Sequence, residues 1–290
     1  MIEKNIDVTS PRLDPVKSCG CAVVFLIQSC FSLETEQNFS KIKWFNSIFV
    51  RVRDVLVSDY LKTVYFPIPK SACTLLATML ALHDPQTRDF DPEAEGVHRY
   101  RFRKNALRPK DLSVFSNKNY FKFTVVRNPY NRIVSGYIDK FVKPFILNPK
   151  LDRGLATKWT FEKLVDFLVS NKDNHIDKHW RSQHLFFKNV ELDYIGAFEN
   201  MEDVNRKIKE VFGIEIDTQV SPRVYKKART QYNPPEEPPV KPVCKMTPLE
   251  IADWGKIPSY QSFLTPRIRK LIEKRYAKDF EVYSKVATVS

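Results

Sequence analysis

A chain of 290 residues, 43% hydrophobic and 13% aromatic, has the composition of an ordinary globular protein and can bury a real core in one large domain or two small ones. Its net charge of +13 calls for an anionic partner. Five cysteines, an odd number without repeated metal spacing, argue against a disulfide framework and a zinc site, and point to reduced thiols in a cytoplasmic protein.

Residues 1–58 read as an N-terminal extension, helical or irregular, packed on the main body. The apolar run Cys19 to Leu33, about 15 residues interrupted by Gln28 and Ser29, falls short of the roughly 20 that a spanning helix needs. A buried segment is the expectation there, and a membrane anchor of Golgi type the alternative. Trp44, Phe45, Ile48, Phe49, Val52, Val55 and Leu56 suit a helix over 42–57.

The main domain is expected over 59–290. Thr63 to Ile68 reads as a short buried strand, and Leu75, Leu76, Met79, Leu80 and Leu82 fit one face of the helix after it. Residues 84–97, acidic and proline-containing, read as a loop, and 99–118 mix basic and apolar residues without a firm period. Phe121–Val126 is the second strand, followed by a helix over 130–141 carrying Ile133, Val134, Tyr137, Ile138 and Phe141. Phe161, Leu164, Val165 and Leu168 mark another amphipathic helix. Leu192–Phe198 is the third strand. The next helix is capped by Asn200, has Glu202 and Asp203 in its first turn, and stops at Gly213. Residues 233–242 form an exposed, polyproline-like loop, and Thr265-Pro266 opens a final helix. Strands alternating with helices predict an α/β fold: a P-loop-like central parallel sheet in a single domain, with helices on both faces.

Two strand ends carry the chemistry. At the first, Pro69-Lys70-Ser71-Ala72-Cys73-Thr74 joins strand to helix and presents a cation, hydroxyls and free backbone N–H groups to an anion. The six residues before Lys70, Val64 to Pro69, include no glycine, the whole chain has only seven, and no Gly-x-Gly-x-x-Gly occurs, so a triphosphate cradle and a dinucleotide fold are both disfavoured. At the second, Arg127 directly follows a buried strand and Ser135 lies eight residues on, roughly two helical turns. Arg127 as a bidentate fork and Ser135 can converge on one phosphate. Asn128-Pro129 has a structural reason, as cap and first position of the helix. Between Arg99 and Lys143 twelve Lys or Arg face two Asp, a surplus of ten positive charges around this second motif.

With both motifs in view the chain resembles the sulfotransferases that use 3′-phosphoadenosine 5′-phosphosulfate (PAPS), above all the carbohydrate group with the chondroitin and dermatan 4-O-sulfotransferases. Ile68 to Thr74 is similar to that family's 5′-phosphosulfate loop, and Val126 to Tyr137 to its 3′-phosphate signature. His179-Trp180-Arg181-Ser182-Gln183-His184 and Tyr276-Ala277-Lys278-Asp279-Phe280 resemble later segments of the same group. The chain departs from it at Leu75 to Ala77, where Asn, Trp and Lys are common, and at its short N-terminus.

The resemblance implies PAPS as co-substrate, adenosine 3′,5′-bisphosphate as product, and no metal. Lys70 would neutralise the oxygens around the transferred sulfur, the backbone of Ser71 to Thr74 would hold the 5′-phosphate, and Arg127 with Ser135 the 3′-phosphate. The acceptor would be a hydroxyl, on a carbohydrate by analogy, attacked in line with help from a general base. His98 is the first candidate for that base, because it lies between the two motifs; His179 is the second, and Glu93 and Glu95 are carboxylate substitutes. The basic stretch 99–110 suits an anionic glycan or the co-substrate, and Lys227 with Arg229 suit a lid over the co-substrate. The competing readings are a basic nucleic-acid-binding protein, motivated by Arg99-Tyr100-Arg101-Phe102-Arg103, a kinase-like nucleotide enzyme, and a sulfotransferase-like fold that only binds a partner.

Overall fold

The structure is a computed structural model that describes residues 54–147, 158–217, 239–255 and 257–287. Within them one sheet runs in the order β1 (Leu56–Ser58), β2 (Thr63–Phe66), β3 (Phe121–Val126) and β4 (Tyr194–Ala197). β2, β3 and β4 are parallel, with Thr63 opposite Phe121 and Phe123 opposite Tyr194. All three expected strands are there, and with them the expected α/β fold.

β1 is the departure, running antiparallel to β2. The stretch 42–57 suits a helix, yet its last two residues, Leu56 and Val57, lie in this edge strand and turn to opposite core clusters. A period of two sampled over three residues cannot be told from a helical one. The sheet therefore begins inside the expected N-terminal extension. Residues 42–53, the run Cys19–Leu33 and most of the proline-rich loop lie outside the described residues.

The helices are α1 (Cys73–His83), α2 (Val97–Lys104), α3 (Pro129–Tyr137), α4 (Lys143–Leu147) and α5 (Phe161–Ser170). They continue with α6 (Met201–Phe212), α7 (Pro248–Asp253), α8 (Pro266–Arg275) and α9 (Ala277–Ala287). α2 occupies a stretch that reads as loop and unperiodic sequence. Its inward positions are Val97, Tyr100 and Arg101, a helical spacing, but an arginine in a core-facing place hides the period. The expected helix over 130–141 is interrupted: a widened π turn, Ile138–Val142, separates α3 from α4.

Tyr65, Phe123 and Val125 project from one face of the sheet into a cluster shared with α1, α2 and α6. Val64 and Phe66 project from the other, against Val114 and Tyr120. A third cluster joins α3 and α5 to α8 and holds Tyr137, Phe161 and Phe263. α1 and α3 thus belong to different cores, so the chain leaves the neighbouring ends of β2 and β3 in different directions. Both ends lie at the carboxyl edge of the parallel strands, where open α/β sheets bind their ligands.

Candidate functional site

After β2 the chain turns through Pro67–Ala72 into α1. Lys70 and Ala72 hold left-handed backbone, with φ of 71° and 56°, although neither is glycine. Each such position costs an L-residue about 1–2 kcal/mol, and within the turn Ser71 N donates to Ile68 O at 3.2 Å. The missing glycines therefore do not prevent a tight turn here. Ala72 supplies no side-chain cap to α1, and the first turn holds no acidic residue, so its N–H groups and partial positive charge stay available to an anion. Ser71 is fully buried.

Arg127 emerges just beyond the last residue of β3. Its Nη1 donates to the carbonyl of Lys70 at 3.0 Å, which brings the two sequence motifs into direct contact. Its guanidinium lies 4.2 Å from the centre of the Phe198 ring and pairs loosely with Glu199. Nε is buried and makes no hydrogen bond. Asn128 caps α3, accepting from Tyr130 N, with Pro129 at the first position as the sequence suggests.

Ser135 is buried on α3. Three residues before it Arg132 donates from Nε to Pro69 O at 3.0 Å, and four residues after it Asp139 meets Lys70 Nζ at 3.3 Å. Neighbours at three and four residues share a helix face. Ser135 therefore lies on the side of α3 turned to the Lys70 loop.

Arg132 is buried, and besides Pro69 O its guanidinium binds the carbonyls of Arg181 at 2.7 Å and Lys178 at 3.3 Å. That single side chain fastens the segment carrying His179 to the segment carrying Lys70. Burial lowers the pKa of Lys70, while Asp139 pulls it upward. Burial works to raise the Asp139 carboxyl, but Lys70, Lys140 and Lys143 together outweigh it and hold it below its ordinary value.

Both candidate histidines lie by this loop. His98, in the first turn of α2, places Nε2 3.2 Å from Thr74 Oγ1 and 4.0 Å from Cys73 Sγ. Desolvation by the surrounding protein and the charges of Arg101 and Lys178 lower its pKa to about 4; the ring keeps a solvent-exposed side that screens this effect. His179 engages Asp177 through Nδ1, and its backbone N–H donates to the same carboxylate oxygen at 2.9 Å. Burial lowers its pKa, against the pull of Asp177. Of the carboxylate substitutes, Glu95 is paired with Arg103 and the Glu93 backbone closes a turn on Asp91.

The basic stretch divides. Arg101 points inward and donates to Val55 O at 3.1 Å, while Arg103 and Lys104 pair with Glu95 and Asp89. Tyr100 is buried and donates its hydroxyl to Asp89; of the two aromatics in 99–103, Phe102 alone is exposed. The alternation that would make this run a base-stacking platform is not presented. Lys227 and Arg229 lie outside the described residues.

Two residues that sequence reasoning did not single out bind the site together. Gln183 is buried; its Oε1 accepts from Arg127 N at 2.9 Å and from Ser71 Oγ at 3.4 Å, and its Nε2 donates to Arg127 O at 2.8 Å. Asp279 of α9, also buried, accepts from Gln183 N at 2.6 Å and from both the backbone and ring of His184. Both residues stand in the segments that resemble the family, but the sequence carries no sign of their partners.

Residues 53–285 match the family model described as the sulfotransferase family. The chain is similar to carbohydrate sulfotransferase 14 of Mus musculus, 25% identical over 177 residues that make up 55% of this chain and 47% of that protein. It is similar to carbohydrate sulfotransferase 11 of the same species, 22% identical over 206 residues, 58% of each chain. It is also 25% identical to human carbohydrate sulfotransferase 9 over 178 residues, 54% of this chain and 40% of that one. The chain spans about half the length of the curated relatives it matches, and no solved structure matches it. The resemblance to carbohydrate sulfotransferases is borne out. The cytoplasmic placement is not: the relatives are carbohydrate sulfotransferases, a type of enzyme at odds with it. Cysteine parity is too weak a guide to compartment: Cys73 and Cys244 are free thiols as expected, while Cys19, Cys21 and Cys30 lie outside the described residues. Among the described residues no helix is long and apolar enough to cross a membrane.

Proposed function

The chain belongs to the sulfotransferase family, and from that membership we propose that it moves a sulfuryl group from PAPS to a hydroxyl of a carbohydrate. The observation that carries this reading is the 3.0 Å bond from Arg127 Nη1 to Lys70 O, which brings the two strand ends together. A nucleotide with phosphates on both its 5′ and 3′ sides suits that pair. The residues fit it: the uncapped start of α1 offers N–H groups to an anion, with Lys70 and Arg127 beside it. The names of the relatives support a carbohydrate acceptor.

The donor supplies the sulfuryl group and a 5′-phosphate as leaving group. The chain supplies position and charge. Lys70 Nζ neutralises the bridging and peripheral oxygens while Asp139 keeps it oriented. N–H groups from Ala72 to Thr74 hold the 5′-phosphate, the Ser71 N–H being spent on Ile68 O, and Arg127 with Ser135 hold the 3′-phosphate. As the acceptor oxygen bonds to sulfur and the sulfur–oxygen bond to the 5′-phosphate breaks, the hydroxyl proton passes to His98 Nε2. That ring is neutral at pH 7 because its pKa lies at about 4. His179, fixed by Asp177, is the second candidate for this proton.

Thermal melting checks the reading. Adenosine 3′,5′-bisphosphate at a hundredfold excess over its Kd stabilises the protein by about 2.7 kcal/mol, and 5′-AMP at the same concentration by much less. Lys70→Ala and Arg127→Ala keep the fold and lose that stabilisation. Equal stabilisation by both nucleotides, or stabilisation by a single-stranded oligonucleotide alone, would sink the proposal.

A further inference from the structure

We propose that Gln183 is a positioning residue that sets the distance between the two anion-binding loops and so makes the site selective for a ligand charged at both ends. The inference rests on the nucleotide-binding reading above and adds a residue to it.

The β2–β3 ladder ends at the pair Phe66 and Thr124, and the β3–β4 ladder at Val126 and Ala197. Arg127 is the next residue, beyond the reach of either neighbour strand. Its backbone N–H and C=O would be left without strand partners. The Gln183 amide takes the place of a neighbouring peptide group: Oε1 accepts from Arg127 N at 2.9 Å and Nε2 donates to Arg127 O at 2.8 Å. This two-point pairing adds one residue to β3 and fixes the direction in which the Arg127 side chain leaves. The pairing also decides which end of the amide faces which way, since only oxygen can accept from the N–H.

The same Oε1 takes the hydroxyl of Ser71 at 3.4 Å. One amide group therefore touches both loops, the one after β2 and the one after β3. Its own place is set from behind. The backbone N–H of Gln183 donates to Asp279 Oδ2 at 2.6 Å, and the other oxygen of that carboxylate binds His184 N at 3.0 Å and His184 Nδ1 at 2.7 Å. Gln183 and Asp279 are each buried to within 1% of full burial, so neither has water as an alternative partner. A residue of this kind acts on a ligand that must be gripped by both loops at once. It has little to offer a ligand held by one.

The test compares two affinities in the 290-residue chain. Gln183→Leu keeps the volume and removes the amide. It should weaken adenosine 3′,5′-bisphosphate roughly tenfold, the cost of unpaired buried backbone groups, while the Kd for 5′-AMP moves less than about threefold. Gln183→Glu gives a second reading that does not depend on the leucine variant folding. The carboxyl group it introduces can imitate the amide when protonated and repels Arg127 O when ionised, so bisphosphate affinity relative to wild type should recover as the pH is lowered. Wild-type protein that shows no preference for the bisphosphate overturns the nucleotide reading and this inference with it. Wild-type preference that survives unchanged in Q183L, or a fall equal for both ligands in Q183L and Q183E, overturns this inference alone. A merely structural Gln183 would lower the melting temperature without changing the ratio of the two affinities.

Discussion

Lys70 and His98 carry the sharpest consequences at the scale of single residues. Lys70 sits in left-handed backbone, and Asp139 meets its ammonium. Lysine shortened to alanine loses the charge but keeps the turn, so the fold should survive while turnover does not. His98 as base must be neutral to accept a proton. Its pKa of about 4 means that kcat/KM should stay flat from neutral pH downward and fall only as the pH drops through that value. His98→Asn should lower kcat by about 10²–10⁴-fold with bisphosphate affinity intact, measured by transfer of labelled sulfate and by titration. Full activity in that variant would move the assignment to His179, whose Nδ1 is already committed to Asp177. Arg101 shows how charge misleads at this scale: it counts toward the basic surplus, yet its guanidinium is inside and bound to Val55 O.

Among the elements, α3 is held on its two sides by different kinds of contact. One side carries Arg132 and Ser135 toward the Lys70 loop. Another comes so close to Trp180 that a Cβ added at Gly136 would lie 2.8 Å from its Nε1. Gly136→Ala must push the indole or tilt the helix, and should destabilise by about 1–3 kcal/mol in urea denaturation. Because α3 also carries Ser135, the variant should lose bisphosphate affinity beyond what its stability loss explains. α6 is the simpler case. Asn200 caps it by accepting from Asp203 N, and Gly213 ends it at a φ of 68°. Both are local events between residues a few positions apart, which is why the sequence alone predicts them correctly. α2 was not legible, since its inward face includes an arginine, and β1 was not, because a strand of three residues carries too little pattern to read.

For the whole molecule, the net charge of +13 is a property of the surface field, and salt screens it. The association rate of the bisphosphate should fall as ionic strength rises, while its dissociation rate, set by short contacts in the site, changes much less. Stopped-flow measurements at several salt concentrations would separate the two. An association rate indifferent to salt would mean that the net positive charge is not concentrated where the nucleotide enters.

The amino-acid sequence alone determined the alternation of strands and helices, the two strand ends and the cation and hydroxyl residues placed there. Those signals are local: apolar period, caps, and a cation placed directly after a strand. Only the tertiary structure decided what holds those ends together. Gln183 reaches Arg127 across 56 positions, Arg132 reaches Pro69 across 63, and Asp279 reaches Gln183 across 96. A polar side chain in sequence carries no mark of its distant partner. Burial selects that partner, because a hydrogen-bonding group removed from water must find another, and which one it finds depends on how the whole chain has folded.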